Sequence, residues 1–315
     1  MSAHRRGILL CLASAAGFGS MAILASAAYD AGATIPDLLV VRFAVAALGF
    51  WALVRITRAS IPAAMLTRRM LALGAIGYSA QAALFFAAVE RLDAALAALL
   101  LYLYPFLVFA ISVAVGHEKL TARRAIPLVG AGGGVMLVLG AGAGGSAVDP
   151  IGVACALGAA LVYTGYILVA DGLVADSDPI AVSALAMTGA ATTCIVAGAA
   201  SGSLALDIEP SGWLWLLVLA LGSTVVGVAA FFAGLRLVGP STAAIVSTAE
   251  PVVTVALAFA LLGERLTATQ LAGGAAVLAS VVLLQRSPAV SVAFDAPPAH
   301  PADRAATGAE PRPAS

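Results

Sequence analysis

Residues 251–267 read "PVVTVALAFALLGERLT", and residues 105–121, 146 positions earlier, read "PFLVFAISVAVGHEKLT". The two stretches match without a gap: Pro105 falls on Pro251, and Glu118, Leu120 and Thr121 fall on Glu264, Leu266 and Thr267. The same offset carried upstream sets "ALFFAAVERL" against "AAFFAGLRLV", with Phe85 and Phe86 on Phe231 and Phe232. Matching alanines mean little in so alanine-rich a chain. A shared Phe-Phe, Pro and Glu-x-Leu-Thr do not arise from composition, so the chain reads as an internal duplication.

The repeated unit is built for lipid. Of 315 residues 62% are hydrophobic and 10% charged, and the mean hydropathy is +1.05, against roughly 45–50% apolar and about 25% charged in soluble domains. About 20 apolar residues span a bilayer as a helix. Ten stretches meet that requirement, near 7–28, 36–53, 70–89, 94–115 and 126–142 in the first half, and near 151–170, 180–200, 213–235, 241–262 and 271–284 in the second, the last being short. The expected fold is an all-α integral membrane protein of ten transmembrane helices, arranged as two inverted five-helix repeats. An odd number of crossings makes the second copy enter from the opposite face. The first repeat is expected over 1–142 and the second over 143–286. Residues 287–315, with six of the fifteen prolines, are expected to be a disordered cytoplasmic tail.

The first apolar stretch begins "HRRGILLCLASAAGFG", basic and then apolar like a secretory leader. It has a counterpart inside the chain, "CALGAALVY" beginning at Cys155, and is expected to be retained. With the N-terminus in the cytoplasm, thirteen of the sixteen basic residues, Arg5, Arg6, Arg55, Arg58, Arg68 and Arg69 among them, fall inside; Arg91 and Arg265 fall outside, and Arg42 lies within a span. That imbalance predicts a multi-pass protein of the cytoplasmic membrane with both termini cytoplasmic.

The zero net charge gives no reason to expect a nucleic-acid partner. Cys11, Cys155 and Cys194 lie singly in apolar stretches, and His4, His117 and His300 stand apart; neither a metal shell nor a catalytic triad is expected. No GxxxxGK[ST] sequence provides for nucleotide hydrolysis. The chain is therefore not expected to be an enzyme or to carry a cofactor.

Three stretches, "VVRFAVAAL" at 40–48, "YPFLVFAISVAVGHEKLT" at 104–121 and "EPVVTVALAFALLGERLT" at 250–267, make the sequence resemble the EamA family of ten-helix permeases in the drug/metabolite transporter superfamily. The resemblance runs to about Arg286, with one EamA repeat in each half. It implies an exporter or exchanger of small metabolites, amino acids or drug-like compounds that works without ATP. Inverted repeats suit alternating access, because two similar halves can exchange conformations around one site.

The polar residues inside the spans are the candidate site. Glu250 lies near the middle of its span, where an ionised carboxylate costs about 2.5–3.5 kcal/mol or more, so it must face protein or water. A carboxyl there would bind substrate or a coupling proton, or would only satisfy backbone donors beside Pro251. The duplication sets Tyr104 opposite Glu250. Pro105 and Pro251 are expected to act as hinges and to free backbone carbonyls toward the substrate, or merely to set a packing kink. Arg42 is shallow enough to snorkel; pairing with Asp37, pairing with Glu250 and binding a substrate carboxylate all stay open. Tyr78, Gln81, Tyr102, Tyr163, Thr164, Tyr166, Ser223 and Thr224 complete the candidate lining. Glu118-Lys119 and Glu264-Arg265 mark equivalent helix ends, where solvated charges are expected. Gly130-x-x-x-Gly134 and the Gly273-Gly274 pair would pack helices closely, within one chain or in a homodimer. The expected partners are a small-molecule substrate, protons and membrane lipid. Two other classes stay open: a membrane-embedded enzyme or assembly factor, and a passive facilitator.

Overall fold

The computed structural model describes residues 2–115, 121–140, 148–174 and 177–286; Glu118, Lys119, His117 and the expected tail lie outside them. The described residues form helices and loops, with no strand among them. Ten helical spans follow the chain: α1 Ala3–Asp30, α2 Ile35–Thr57, α3 Ala64–Val89, α4 Ala94–Ala114, α5 Ala122–Gly140, α6 Pro150–Val174, α7 Pro179–Ser201, α8 Pro210–Val238, α9 Thr242–Leu262 and α10 Ala268–Arg286. Eight are long and apolar enough to cross a membrane, while the apolar runs of α5 and α10, Ala125–Val138 and Ala268–Leu284, are shorter.

Local chemistry sets several of the ends. Thr34 and Asp37 cap the start of α2 reciprocally, with Pro36 in the first turn, so two backbone donors that no helical carbonyl can reach are satisfied. Asp178 caps α7 through the Ile180 N–H at 2.9 Å, followed by Pro179. Gly202 at φ 63° ends α7 in the left-handed region, which glycine enters without a Cβ penalty.

The interiors are less regular, and several of the irregularities repeat. In α3, residues Leu73–Tyr78 form a π-helical turn, and in α8 residues Leu219–Val226 do so; the 146-residue offset maps 73–78 onto 219–224. In α4 the helix is interrupted at Tyr102–Leu103 and in α9 at Thr248, again equivalent positions. Pro105 and Pro251 thus lie in the first turn of the second segment of each broken helix. There a missing N–H removes no intrahelical bond. The proline does not kink a continuous helix; it starts a new one.

Packing follows the duplication as well. The chief partners are α1 with α8, α3 with α6, α2 with α7 and α5 with α10. Advancing each label by five exchanges the first two pairs and returns the last two to themselves, the pattern of a pseudo-two-fold axis between the halves. Each pairing joins one half to the other, so neither half has a separate core. Phe43, Phe50, Phe86 and Leu38 are fully buried at the centre, while Leu48, Ile76, Val129, Leu161, Val226 and Phe259 are exposed on the outside, an apolar outer surface that lipid would cover.

Close crossings use small residues. A Cβ on Gly134 would lie 2.7 Å from the Gly273 carbonyl oxygen, and one on Gly273 would lie 2.5 Å from the Gly134 carbonyl oxygen. The packing role expected of these glycines is therefore met between α5 and α10 of one chain.

Candidate functional site

Five of the six tyrosines form one continuous run through the interior. Ring centroids are 5.9 Å apart from Tyr102 to Tyr104, 4.7 Å from Tyr104 to Tyr163, 6.1 Å from Tyr163 to Tyr166 and 5.6 Å from Tyr166 to Tyr78. The run begins on α4, passes through α6 and ends on α3, so it crosses the seam between the halves twice. Glu250 stands at one end and Arg42 at the other.

At the Glu250 end, the Tyr102 hydroxyl donates to Glu250 Oε2 at 3.0 Å and to the Ser247 carbonyl at 2.9 Å. Ser247 is the residue whose carbonyl Pro251, four positions on, cannot serve. That carbonyl is taken by Tyr102 and does not stand open toward a substrate, contrary to expectation. Glu250 is half-buried. Tyr104, Tyr163, Tyr166 and Tyr78 are likewise half-buried. Behind Glu250, α1 crosses α9 at Gly19: the Gly19 carbonyl accepts from Thr254 Oγ1 at 2.9 Å, and a Cβ there would meet the Glu250 carbonyl oxygen at 2.7 Å.

At the other end, Arg42 is 2% exposed. Its Nε donates to Thr224 Oγ1 at 3.1 Å and its Nη2 to the Tyr78 hydroxyl at 3.3 Å. Thr224 in turn donates to the Leu219 carbonyl, 3.2 Å away across the π-helical turn. Tyr78 and Thr224 are equivalent under the 146-residue offset, so the two widened turns grip one guanidinium from both halves. The rings of Phe43, Phe86 and Tyr78 lie 5.1, 5.2 and 5.8 Å from its central carbon, within cation–π range.

Two expectations for Arg42 fail. It does not snorkel, because the aromatic cage and the seam hold it inside. Nor does it pair with Asp37 or Glu250. Asp37, fully buried, accepts from Thr34 Oγ1 at 2.6 Å and from the backbone N–H groups of Ala205 and Leu206 at 3.2 and 3.3 Å, and Glu250 is engaged with Tyr102.

The remaining candidates divide. Thr164 donates to the Ala160 carbonyl at 2.8 Å, with the Tyr104 carbonyl farther off at 3.4 Å, so it serves its own helix first. Ser223 pairs with Ser20 Oγ at 3.1 Å, tying α8 to α1 at Ser20, where α1 is briefly interrupted between Gly19 and Met21, and away from the tyrosines. Gln81 is buried one turn beyond Tyr78 and takes part in none of the side-chain bonds above. Phe43, Phe86, Ser247 and Gly19 were not foreseen; the offset that aligns Tyr78 with Thr224 was the available signal for the Arg42 grip.

Glu264 also departs from expectation. It is half-buried, and its two oxygens accept the N–H groups of Ala94 and Ala95 at 2.9 and 3.2 Å. The carboxylate closing α9 thus caps the start of α4. Burial pushes its pKa up more than the two amides pull it down.

A chain of two repeats aligned in sequence, broken at matching points around a polar seam, has known counterparts. The sequence profile of the EamA-like transporter family matches residues 5–140 and again residues 150–286. The chain belongs to the EamA-like transporter family. It is thereby a multi-pass membrane transporter with a small-molecule substrate. This EamA-like protein is 25% identical over 279 residues to the "Uncharacterized transporter YcbK" of Bacillus subtilis (strain 168), covering 85% of this chain and 88% of that one. A solved crystal structure superposes with a TM-score of 0.63 over 88% of this chain and 96% of the other, at 16% identity, a likeness of fold.

Proposed function

We propose that the protein is a secondary carrier of the cytoplasmic membrane that exports or exchanges small metabolites, amino acids or drug-like compounds by alternating access. In this reading residues 1–142 and 143–286 are the two repeats that exchange conformations, with groups of helices drawn from both tilting together; the tyrosine run lines the path, and Glu250 couples movement to protons. The breaks before Pro105 and Pro251 are the hinges.

The observation that carries the coupling role is a shortage of hydrogens. Tyr102 has one hydroxyl proton and two acceptors, Glu250 Oε2 and the Ser247 carbonyl. When Glu250 is ionised, the charge-assisted bond draws that proton to the carboxylate and the Ser247 carbonyl loses its donor. When Glu250 is protonated, it donates to the Tyr102 oxygen and Tyr102 donates to Ser247, so every group is satisfied. Protonation re-routes a hydrogen bond at the point where α9 is broken, linking a proton to helix geometry.

The test is flux in reconstituted vesicles with and without a pH gradient. Wild-type flux should respond to the gradient, and Glu250→Gln, an acid mimic that cannot ionise, should abolish that response. A wild type and a variant that are equally indifferent to pH would remove the coupling role. Flux that never saturates with solute concentration would favour a passive facilitator, and chemical turnover of the solute a membrane enzyme.

A further inference from the structure

The charge on Arg42 is the one feature the scheme above leaves without a counterpart. Its guanidinium is almost fully buried, and among the described residues the ion pairing that exists joins Arg91 to Asp149 elsewhere. The ionisable groups acting on Arg42 are Tyr78, Cys194 and Tyr29, whose ordinary forms at pH 7 are neutral. Of its five N–H donors, one on Nε is used by Thr224 and one on Nη2 by Tyr78; Nη1 has no hydrogen-bond partner among the described residues. Cation–π contact offsets part of the desolvation cost, but it neither neutralises the charge nor fills the two donors on Nη1. A buried cation is stable when paired and hydrogen-bonded.

We propose that the Nη1 edge of Arg42 is the subsite for a carboxylate on the transported solute, so that the cargo is a small organic monoanion. The inference deepens the carrier reading and rests on it. A single positive charge is balanced by a single negative one. A planar carboxylate also matches the guanidinium edge geometrically, whereas a phosphate dianion would leave excess charge and further oxygens facing the rings of Phe43 and Phe86. The partly accessible ring of Tyr78 offers apolar surface to the body of such a solute. Half-buried Tyr78 and Tyr166, 5.6 Å apart, connect the subsite to the rest of the tyrosine run. Thr224 and Tyr78 belong to opposite halves, so an anion seated here touches both and would sense their relative position.

The test reads binding and needs no gradient: thermal unfolding of the purified full-length protein in detergent, titrated with acetate, benzoate, inorganic phosphate and the neutral isostere benzamide at matched ionic strength. Benzoate should raise the Tm saturably, with benzamide inert and phosphate weaker. Arg42→Gln should lose benzoate affinity at least tenfold. Should Arg42→Gln fail to fold, Arg42→Lys decides the matter, since an ammonium keeps the charge without the planar fork; a tenfold weaker affinity supports the subsite and an unchanged one overturns it. Equal effects of benzoate and benzamide, or phosphate binding alone, also overturn it. A protein that binds benzoate through Arg42 but moves no solute in vesicles would refute the carrier reading and leave the subsite standing; one that moves solute without binding any carboxylate would do the reverse.

Discussion

Tyr102 carries more of the candidate site than any other residue on the sequence-based list. Its ring starts the tyrosine run and its hydroxyl is shared between a carboxylate and a backbone carbonyl. Tyr102→Phe keeps the ring and removes the shared proton, so packing should survive. The expected outcome is a protein within about 1–3 kcal/mol of wild-type stability, the cost of a buried acceptor left unsatisfied, whose flux no longer responds to a pH gradient. A full pH response in that variant would show that the hydrogen-bond exchange is incidental. Glu250 was legible as a functional candidate because a carboxylate in mid-span is costly and must have a reason. Its partner was not, since Tyr102 meets it only once two distant helices are packed. Arg42 shows the opposite error: it read as shallow enough to snorkel and is buried, and the nearest carboxylate in sequence, Asp37, turned out to be occupied with Thr34 and loop amides.

At the level of helices, regular segments were readable and their interruptions only partly so. Apolar length located all ten spans, and Pro105 and Pro251 marked where α4 and α9 break. The π-helical turns in α3 and α8 left no trace in periodicity, because an extra residue in a uniformly apolar helix changes no hydrophobic face that a pattern could report. Glu264 is the clearest case of an element completed from afar. Glu264→Ala removes the acceptor for two N–H groups at the start of α4 and should lower stability by about 1 kcal/mol, measured by unfolding in detergent. Because burial raises this carboxyl group's pKa, the folded state holds its proton more tightly than the unfolded chain does. Its contribution therefore falls as pH rises through the folded pKa, and Glu264→Gln should flatten that part of the stability profile relative to wild type.

Over the whole molecule, one group of bonds between the halves lies at the loops. Asp37 to Ala205 and Leu206, the Glu209 N–H to the Ala31 carbonyl at 3.1 Å, Arg91 to Asp149 at 3.4 Å and Glu264 to Ala94 and Ala95 all join loops that follow odd-numbered helices. Such loops share one face, opposite the termini. These bonds close the loops of that face against one another, and the carrier reading puts that face outside the cell. Asp37→Ala should loosen the closure, and a cysteine placed at Tyr104 should then react faster with an impermeant thiol reagent applied from that face; unchanged labelling would mean these bonds hold no gate. The duplication was legible in the sequence because aligned prolines, phenylalanines and acidic residues survive together, whereas the exchange of partners between halves needed the packed structure. The widened turns also set a rule for length change. Each holds one residue more than the α-helical turn it replaces, so losing a single residue there lets the helix close into ordinary form with everything beyond it in register. A deletion elsewhere in α3 or α8 would swing the remainder by about 100°. The two points most forgiving of such a loss are the same two that hold the arginine, so an indel could spare assembly and silence transport at a stroke.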